Sequence, residues 1–299
     1  MMRKIQEILD AALKKGKKRI ALAAAQEESA MEAIVDAAKH GLAEPILIGD
    51  LAIIKQLAAD LKADISGWLL IEEKDYAKAA AKAVELVKSG QADLVMKGIL
   101  DTSVLLKAVL NKENGLNIGR LTSHVAVMEV PTYHKLFIVS DAAININPDL
   151  PGMLDIIANA VQVSKALGVE MPKVALLAAV EKVNADKMPC TATAAVISMM
   201  NQRGQIKGCL IDGPLALDNA ISAESVKIKK IVSDVAGDAD VLVAPDIEAA
   251  NILYKCLLDL GQAKGASIVV GAAKPVILTS RADTAETKLA SIALAVLSC

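Results

Sequence analysis

The sequence predicts an α/β fold with mostly parallel strands, and three observations lead to that prediction. Short apolar runs alternate with longer stretches of helical periodicity along the 299 residues, a pattern typical of right-handed βαβ crossovers. The hydrophobic fraction is 54% but aromatic residues make up only 2%, so Ala, Val, Leu and Ile must build the interior. A chain of this length exceeds what one hydrophobic core usually serves, which predicts two domains.

The strands and helices follow from the apolar periodicity and the turn residues that bound each run. Strands are expected at 19–25, 45–48, 68–71, 93–96, 123–128, 135–139, 173–178, 207–211, 240–243 and 275–278. Helices are expected at 28–40, 50–61, 74–89, 103–111, 150–167, 191–201, 224–235, 247–260 and 284–297, after an amphipathic charged segment at 1–18.

The segment 116–146 breaks this alternation. Two expected strands follow each other through Val130-Pro131-Thr132 with no helix between them. A hairpin with an antiparallel pair would explain the pattern and would mark the passage to a second domain. We therefore place the division near Asp141.

Charge and cysteine usage exclude several classes of function. The formal net charge is −2, from 33 Lys and Arg against 35 Asp and Glu, with no block of like charges, which argues against nucleic-acid and membrane partners. No apolar run is long enough to span a membrane and no apolar leader begins the chain, so we expect a cytoplasmic protein. The four cysteines are far apart, without the CxxC spacing of a structural zinc site.

Polar residues follow many of the expected strands, where parallel sheets bind ligands. Such residues are Lys97-Gly98, Ser140-Asp141, Asp212-Gly213-Pro214, Pro245-Asp246 and Thr279-Ser280-Arg281. Each of them taken alone is also ordinary turn and helix-cap chemistry.

The segment 274–286 carries the clearest chemical signal. An apolar strand runs into Thr279-Ser280-Arg281 and then into a helix, so hydroxyl groups, a guanidinium and backbone N–H groups could converge on one anion such as phosphate. A cap for the last helix with a solvated Arg281 is the alternative. The chain has neither GxxxxGK[ST] nor GxGxxG, so the nucleotide loops of kinases and dinucleotide-dependent dehydrogenases are absent.

Taken in order, the motifs resemble the phosphate acetyl/butyryltransferase family across nearly the whole chain. They are Lys97-Gly98, Ser140-Asp141 with Asn145-Ile146-Asn147-Pro148, Val183-Asn184 through Thr191-Ala192, Asp212-Gly213-Pro214 with Asp218, Pro245-Asp246 with Asn251 and Tyr254-Lys255, and Lys274-Pro275 with Ser280-Arg281. The Thr-Ser-Arg-Ala-Asp form of the last motif is most similar to the butyryl, branched-chain branch.

The resemblance implies two α/β domains like those of isocitrate and isopropylmalate dehydrogenases, with the active site in the cleft between them. It implies a first domain of 1–140 plus about 266–299 and a second, dimerising domain of about 141–265. The implied protein is a homodimer or larger homo-oligomer. The implied reaction converts acyl-CoA and inorganic phosphate to acyl phosphate and free coenzyme A, which is a substrate, with no bound cofactor or metal.

The resemblance also assigns roles to residues. Ser280 would hydrogen-bond the reacting oxygen, and Arg281 would hold phosphate, a contact for which Arg suits better than Lys. The family's proposed thiol base falls at Thr287, where this sequence departs from the pattern. Glu286 and Asp283 are the nearby substitutes, with Asp246 as a third candidate base. The expected substrate-binding residues are Thr279, Lys97, Arg120, Asp141, Asp246, Asn251 and Lys255.

Several alternatives stay open. Cys190 follows Pro189 at an expected helix start and could accept an acyl group covalently. A phosphate acetyltransferase is one alternative function, and a non-catalytic protein that binds CoA or acyl phosphate is another. A metal-dependent decarboxylating dehydrogenase of the same fold would need a carboxylate cluster that the sequence does not show.

Overall fold

The structure is a computed structural model that describes residues 1–279 and 283–299. The described chain forms two compact units: unit 1 comprises Met1–Ile5 and Leu121–Gly265, and unit 2 comprises Gln6–Arg120 and Ala266–Cys299. The sequence placed the first division near Asp141, whereas the units divide between Arg120 and Leu121. The domain ranges implied by the resemblance stay a prediction: a first domain of 1–140 plus about 266–299, and a second domain of about 141–265.

Strands and helices alternate along most of the chain, as predicted. The strands are β1 (Lys18–Ala23), β2 (Ala43–Gly49), β3 (Leu69–Glu72), β4 (Leu94–Lys97), β5 (Ser123–Glu129), β6 (Phe137–Ser140), β7 (Lys173–Leu177), β8 (Leu210–Leu215), β9 (Val241–Val243), β10 (Lys264–Val270) and β11 (Val276–Ile277). The helices are α1 (Ile5–Lys15), α2 (Glu28–Lys39), α3 (Leu51–Asp60), α4 (Tyr76–Lys88), α5 (Thr102–Val109), α6 (Leu150–Ala166), α7 (Pro189–Gln202), α8 (Leu217–Ile221), α9 (Ala223–Lys229), α10 (Ile247–Asp259) and α11 (Ala285–Ser298).

Unit 2 contains a sheet in the order β3-β2-β1-β4-β11-β10. β1 runs parallel to β2 and β4, β2 to β3, and β4 to β11, while β10 is antiparallel to β11. β1, β2 and β4 are almost continuously buried, as parallel strands covered by helices on both faces should be. The side chains of Asp50 and Asp75 cap α3 and α4, which explains where these two helices begin.

Unit 1 contains strands in the order β5-β6-β9-β7-β8. β5 and β6 form the antiparallel hairpin that the sequence predicted, and β6, β9, β7 and β8 run parallel to one another. Because Ile138, Val139 and Ser140 of β6 pair with Val241, Leu242 and Val243 of β9, the hairpin belongs to unit 1. For this reason the boundary between the two units, at Arg120 and Leu121, comes before the hairpin in the chain.

Two predicted elements need correction and two were missed. The helix expected at 224–235 ends at Lys229, because Lys230 adopts a left-handed conformation with φ of 53°. The strand expected at 207–211 begins later, at Leu210, and continues to Leu215. β10 was missed because its first half, Lys264–Ser267, contains Gly, Ala and Ser, which carry little strand signal. α8 was missed because five residues are too few to show a helical period.

The core of unit 1 between the sheet and its helices includes Met128, Phe137, Val139, Ala175 and Leu242. These side chains lie on alternate positions of neighbouring strands, as expected for a sheet face packed against helices. A search of the described residues found no helix that is both long and apolar enough to cross a membrane.

Candidate functional site

The carboxyl ends of β4 and β11 lie at the same edge of unit 2, and two of the predicted site residues follow them. The strands are parallel neighbours, with Met96 opposite Ile277. Lys97, the last residue of β4, therefore lies next to the segment that leaves β11 through Leu278 and Thr279. Thr279 is buried, with 8% of its surface exposed. Continued by one residue, this register puts Lys97 opposite Leu278, so Thr279 follows one position further along the same edge of the sheet.

The ammonium group of Lys97 is directed over its own loop. Its Nζ donates to the carbonyl oxygens of Gly98 at 3.0 Å and Leu100 at 3.1 Å. Gly98 is required here, because a Cβ at this position would lie 2.0 Å from the carbonyl oxygen of Ala24. The backbone N–H of Gly98 donates to the Ala23 carbonyl at 2.8 Å, so the Lys97-Gly98 turn is held directly against the end of β1.

Thr284 begins the last helix. Its Oγ1 accepts a hydrogen bond from the backbone N–H of Thr287 at 3.2 Å and donates to the Oγ1 of Thr287 at 3.0 Å. Capping therefore falls to Thr284, which leaves Thr279 for another role. Asp283 is half-buried just before the cap and Glu286 is exposed in the first turn. The hydroxyl group of Thr287 takes part in this cap. Thr287 has no carboxylate, so it cannot act as the thiol base that the family pattern places at this position.

Three further predicted site residues are Ser280, Arg281 and Arg120. Ser280 and Arg281 lie outside the described residues. Arg120 is half-buried at the end of the segment Gln6–Arg120. Their assignment to phosphate and acyl transfer stays a prediction.

In unit 1, the loop after β6 is organised by Asp141, which is 4% exposed. Its carboxylate accepts hydrogen bonds from the backbone N–H groups of Ala143, Ile144 and Asn145 at 3.0 to 3.2 Å, and from Asn145 Nδ2 at 2.6 Å. With four donors satisfied inside the loop, the carboxylate shapes the end of β6. A contact of this carboxylate with substrate stays a prediction.

The start of α10 lies beside that loop, because β6 and β9 are parallel neighbours. Asp246 caps α10 by accepting from the N–H of Ala249 at 2.8 Å. Asn251 Nδ2 donates to the carbonyl oxygen of Ala142 at 2.9 Å, which ties α10 to the loop after β6. Lys255 is exposed on the same helix. The structure thus brings Asp141, Asp246 and Asn251 to one edge of unit 1.

Two further side chains of unit 1 are His124 and Cys190, of which Cys190 is the alternative covalent acyl acceptor. His124 is buried in β5, and its ring meets that of Tyr254 edge-on at 5.6 Å between centroids. Cys190 is half-buried in the first turn of α7. No group of three or more His, Cys, Asp or Glu side chains suited to a metal ion occurs within residues 1–279 and 283–299.

Sequence reasoning missed Lys288, a residue of α11 that is only 6% exposed. Its Nζ donates to Oγ of Ser29 in the first turn of α2. One signal could have revealed it: Lys288 lies four positions before Ile292 and seven before Ala295, on the buried stripe of the helix.

Comparison with known proteins gives this arrangement a context. Residues 4–82 and 73–296 match the family model described as phosphate acetyl/butaryl transferase. A phosphate butyryltransferase of Clostridium acetobutylicum is 46% identical over 297 residues, covering 99% of this chain and 98% of that one. A phosphate acetyltransferase of Thermotoga maritima is 45% identical over 290 residues, covering 97% and 98%.

Solved structures agree with the sequence comparison. A branched-chain phosphotransacylase from Enterococcus faecalis superposes with a TM-score of 0.82 and 34% identity, covering 94% of this chain and 98% of that one. A 4-hydroxythreonine-4-phosphate dehydrogenase homologue from Salmonella typhimurium shares the fold at a TM-score of 0.57, with 15% identity and coverage of 95% and 100%. The α/β class predicted from the sequence, with its likeness to dehydrogenases, is confirmed.

The fold, together with the family match, therefore defines an α/β acyltransferase. The chain belongs to the phosphate acetyl/butyryl transferase family, as the sequence resemblance predicted.

Proposed function

We propose that this protein transfers a short acyl group, butyryl or branched-chain, between coenzyme A and inorganic phosphate. Support comes from the full-length likeness to a phosphate butyryltransferase. Within the structure, the observation that supports the proposal is the parallel register of β4 and β11, which ends Lys97 and the segment leading to Thr279 at the same carboxyl edge of unit 2. Cations and hydroxyl groups are the partners that a phosphate requires.

The chemistry needs positioning and electrostatics more than a cofactor. Acyl transfer requires the two substrates to be held together and the oxyanion of the tetrahedral intermediate to be stabilised. In the reverse direction the CoA thiol must lose its proton, and such thiols have a pKa of about 8.5. The proposed roles are phosphate binding by Arg281, a hydrogen bond from Ser280 to the reacting oxygen, and proton removal by Asp283 or Glu286. No bound cofactor or metal enters this scheme.

The test is phosphate-dependent release of free thiol from acetyl-, butyryl- and isobutyryl-CoA. We expect the fastest release with a C4 substrate and its near abolition in Arg281→Ala. Arg281→Lys is the matched control, since it keeps the charge and loses the bidentate geometry. Absence of phosphate-dependent release with all three substrates would refute the proposal.

A second candidate is phosphate acetyltransferase, favoured by the 45% identity to the Thermotoga maritima protein of that name. The same assay separates the two, because an acetyltransferase releases thiol fastest from acetyl-CoA. Binding of CoA without turnover would instead indicate a non-catalytic protein.

We further propose that the protein acts in the cytoplasm as a homodimer or larger homo-oligomer. Unit 1 exposes several large apolar side chains, and such side chains are costly to leave in water. The most exposed are Ile146, Ile228, Val232, Ile252 and Leu260, at 69 to 100%. Light scattering of the purified protein checks the assembly state, and a monomeric mass at micromolar concentration would contradict it.

A further inference from the structure

Lys288 is a buried cation whose ammonium group contacts the hydroxyl group of Ser29. The residue is 6% exposed on α11, and within the described part of the chain it forms no ion pair at or below 4.0 Å. Its ammonium donates to the Ser29 hydroxyl oxygen. An ammonium removed from water is unfavourable unless charges or hydrogen bonds compensate it, and one hydroxyl is a weak compensation.

Ser29 and Lys288 lie at the amino ends of two helices, beside a cavity lined by acidic residues. Ser29 lies in the first turn of α2 and Lys288 in the first turn of α11, and the amino ends of helices carry partial positive charge. Glu27, Glu28 and Glu32 line a cavity of about 490 Å³ together with Ser29 and Ile99. Glu27 caps α2, and Glu28 and Glu32 are exposed to solvent.

The hydrogen bond from Lys288 determines how the Ser29 hydroxyl group can be oriented. A hydroxyl has one hydrogen to donate and two lone pairs. Because Lys288 donates to the oxygen, the hydroxyl hydrogen of Ser29 points elsewhere, and it reaches no acceptor among residues 1–279 and 283–299. Hydroxyl groups polarised by a neighbouring cation donate more strongly. Ser29 is thereby prepared as a donor at the edge where β1 and β4 end.

We propose that Lys288 is a positioning residue for acyl transfer, and that it orients the Ser29 hydroxyl as a donor to a phosphate group of a substrate. This inference rests on the proposed function. The phosphate group could belong to inorganic phosphate or to the phosphates of coenzyme A, and separate KM values for the two substrates distinguish these sources.

The test is a double-mutant cycle with Lys288→Met, Ser29→Ala and the double variant. Each single variant should raise the KM of one phosphate-bearing substrate about tenfold, the loss of one charge-assisted hydrogen bond. Because the lysine acts through the serine, the double variant should be no worse than Lys288→Met. Lys17→Gln, which changes an exposed lysine of the same unit, controls for net charge.

A merely structural role predicts a different result. In that case the melting temperature or kcat would change while both KM values stayed within about twofold of the wild type, and this outcome would overturn the inference. Additive effects of the two substitutions would also overturn it. If Lys288→Met does not fold, Lys288→Gln keeps a donor toward Ser29 and removes the charge.

Failure of the proposed function and failure of the role of Lys288 give different experimental results. If the wild-type protein shows no phosphate-dependent thiol release, the proposed function fails. The shift in melting temperature produced by inorganic phosphate or by CoA can still be compared between wild type and variants. A shift that is equally large in Lys288→Met would then refute the role of Lys288.

Discussion

Lys135 and Asp240 form a buried ion pair in unit 1, with 2.6 Å between Nζ and Oδ1. The two residues are 4% and 5% exposed. The same ammonium contacts Asp238, whose other carboxylate oxygen accepts from Lys173 Nζ at 2.8 Å. Asp240 also accepts from the backbone N–H of Lys173 at 2.8 Å. The cluster lies at the amino ends of β6, β7 and β9, opposite the edge that carries the candidate site residues.

Removing one partner of this pair should be strongly destabilising. Lys135→Met leaves the Asp240 carboxylate buried without its cation, which typically costs about 3 to 5 kcal/mol. We expect the midpoint of urea unfolding to fall accordingly. The control is Lys4→Met, which breaks the exposed pair with Glu129 and should cost less than about 1 kcal/mol. Equal losses of unfolding free energy in Lys135→Met and Lys4→Met would show that burial does not increase the cost of breaking the Lys135–Asp240 pair.

Asp238 makes stability depend on acid pH. Burial raises the pKa of Asp238, but hydrogen bonds from Lys173 and Lys135 outweigh burial and lower the pKa to about 2. An unfolded Asp titrates near 3.9. The folded state therefore gains stability above pH of about 4 and loses it as the pH falls toward about 2.

The check compares unfolding free energies of the wild type and Asp238→Asn from neutral pH to pH of about 2. The gap between the two proteins should be constant above pH of about 5 and should narrow across the window from about 4 to 2. Because the Asp238 side chain is 41% exposed, added salt should reduce the gap. A gap that is independent of pH would show that the Asp238 carboxylate does not titrate abnormally in the folded state.

Local patterns revealed most of the fold, because the signals for strands, hairpin and caps are local. The Val130-Pro131-Thr132 turn and the Asp246 cap could be read from neighbouring residues alone. The pairing of β6 with β9 is different, since it joins segments far apart in the chain. It places the hairpin in unit 1, whose contacts begin at Leu121, whereas the local pattern predicts a division near Asp141.

The site was only partly predictable for the same physical reason. The polar strand ends Lys97 and Thr279 could be found because each follows an apolar run. Their position at the same edge of the sheet depends on strand order, which no single segment encodes. The four-donor engagement of Asp141 and the burial of Lys288 are tertiary properties. A lysine in a sequence normally indicates a solvated surface, so the position of Lys288 on the apolar stripe of α11 was the one sequence signal of its burial, and its contact with Ser29 had none.

Gly98 should be intolerant of any side chain. A Cβ would lie 2.0 Å from the Ala24 carbonyl oxygen and 2.6 Å from that of Ala23, and backbone atoms cannot move aside as a flexible side chain can. We expect Gly98→Ala to destabilise the protein by about 2 kcal/mol or more through overpacking. Activity should fall as well, because Lys97 is held over this turn.

The matched control for that change is Gly67→Ala. Nothing lies within 4 Å of a Cβ at Gly67, so the substitution should be neutral, or stabilising by less than about 1 kcal/mol through the unfolded state. Thermal unfolding and the thiol-release assay measure both variants. A Gly98→Ala protein as stable and active as Gly67→Ala would show that the turn at Lys97 is not closely packed against β1.

The thiol base should be Asp283 rather than Glu286. Both are acidic residues at the start of α11, but Asp283 is half-buried before the cap and Glu286 is exposed in the first turn. A base works best where water is partly excluded and its orientation is restricted. Thr284 fixes the helix start directly after Asp283, which restricts the orientation of that carboxylate more than that of an exposed glutamate.

The measurement is the pH dependence of CoA consumption with butyryl phosphate as the second substrate. Asp283→Asn should lower kcat about 10²-fold or more near neutral pH, within the usual range for loss of a general base. The rate should recover as the pH approaches the thiol pKa of about 8.5, where the thiolate forms without help. Glu286→Gln should stay within about twofold of the wild type at every pH. The opposite ranking would transfer the role to Glu286, and two unaffected variants would leave Asp246 as the base to test.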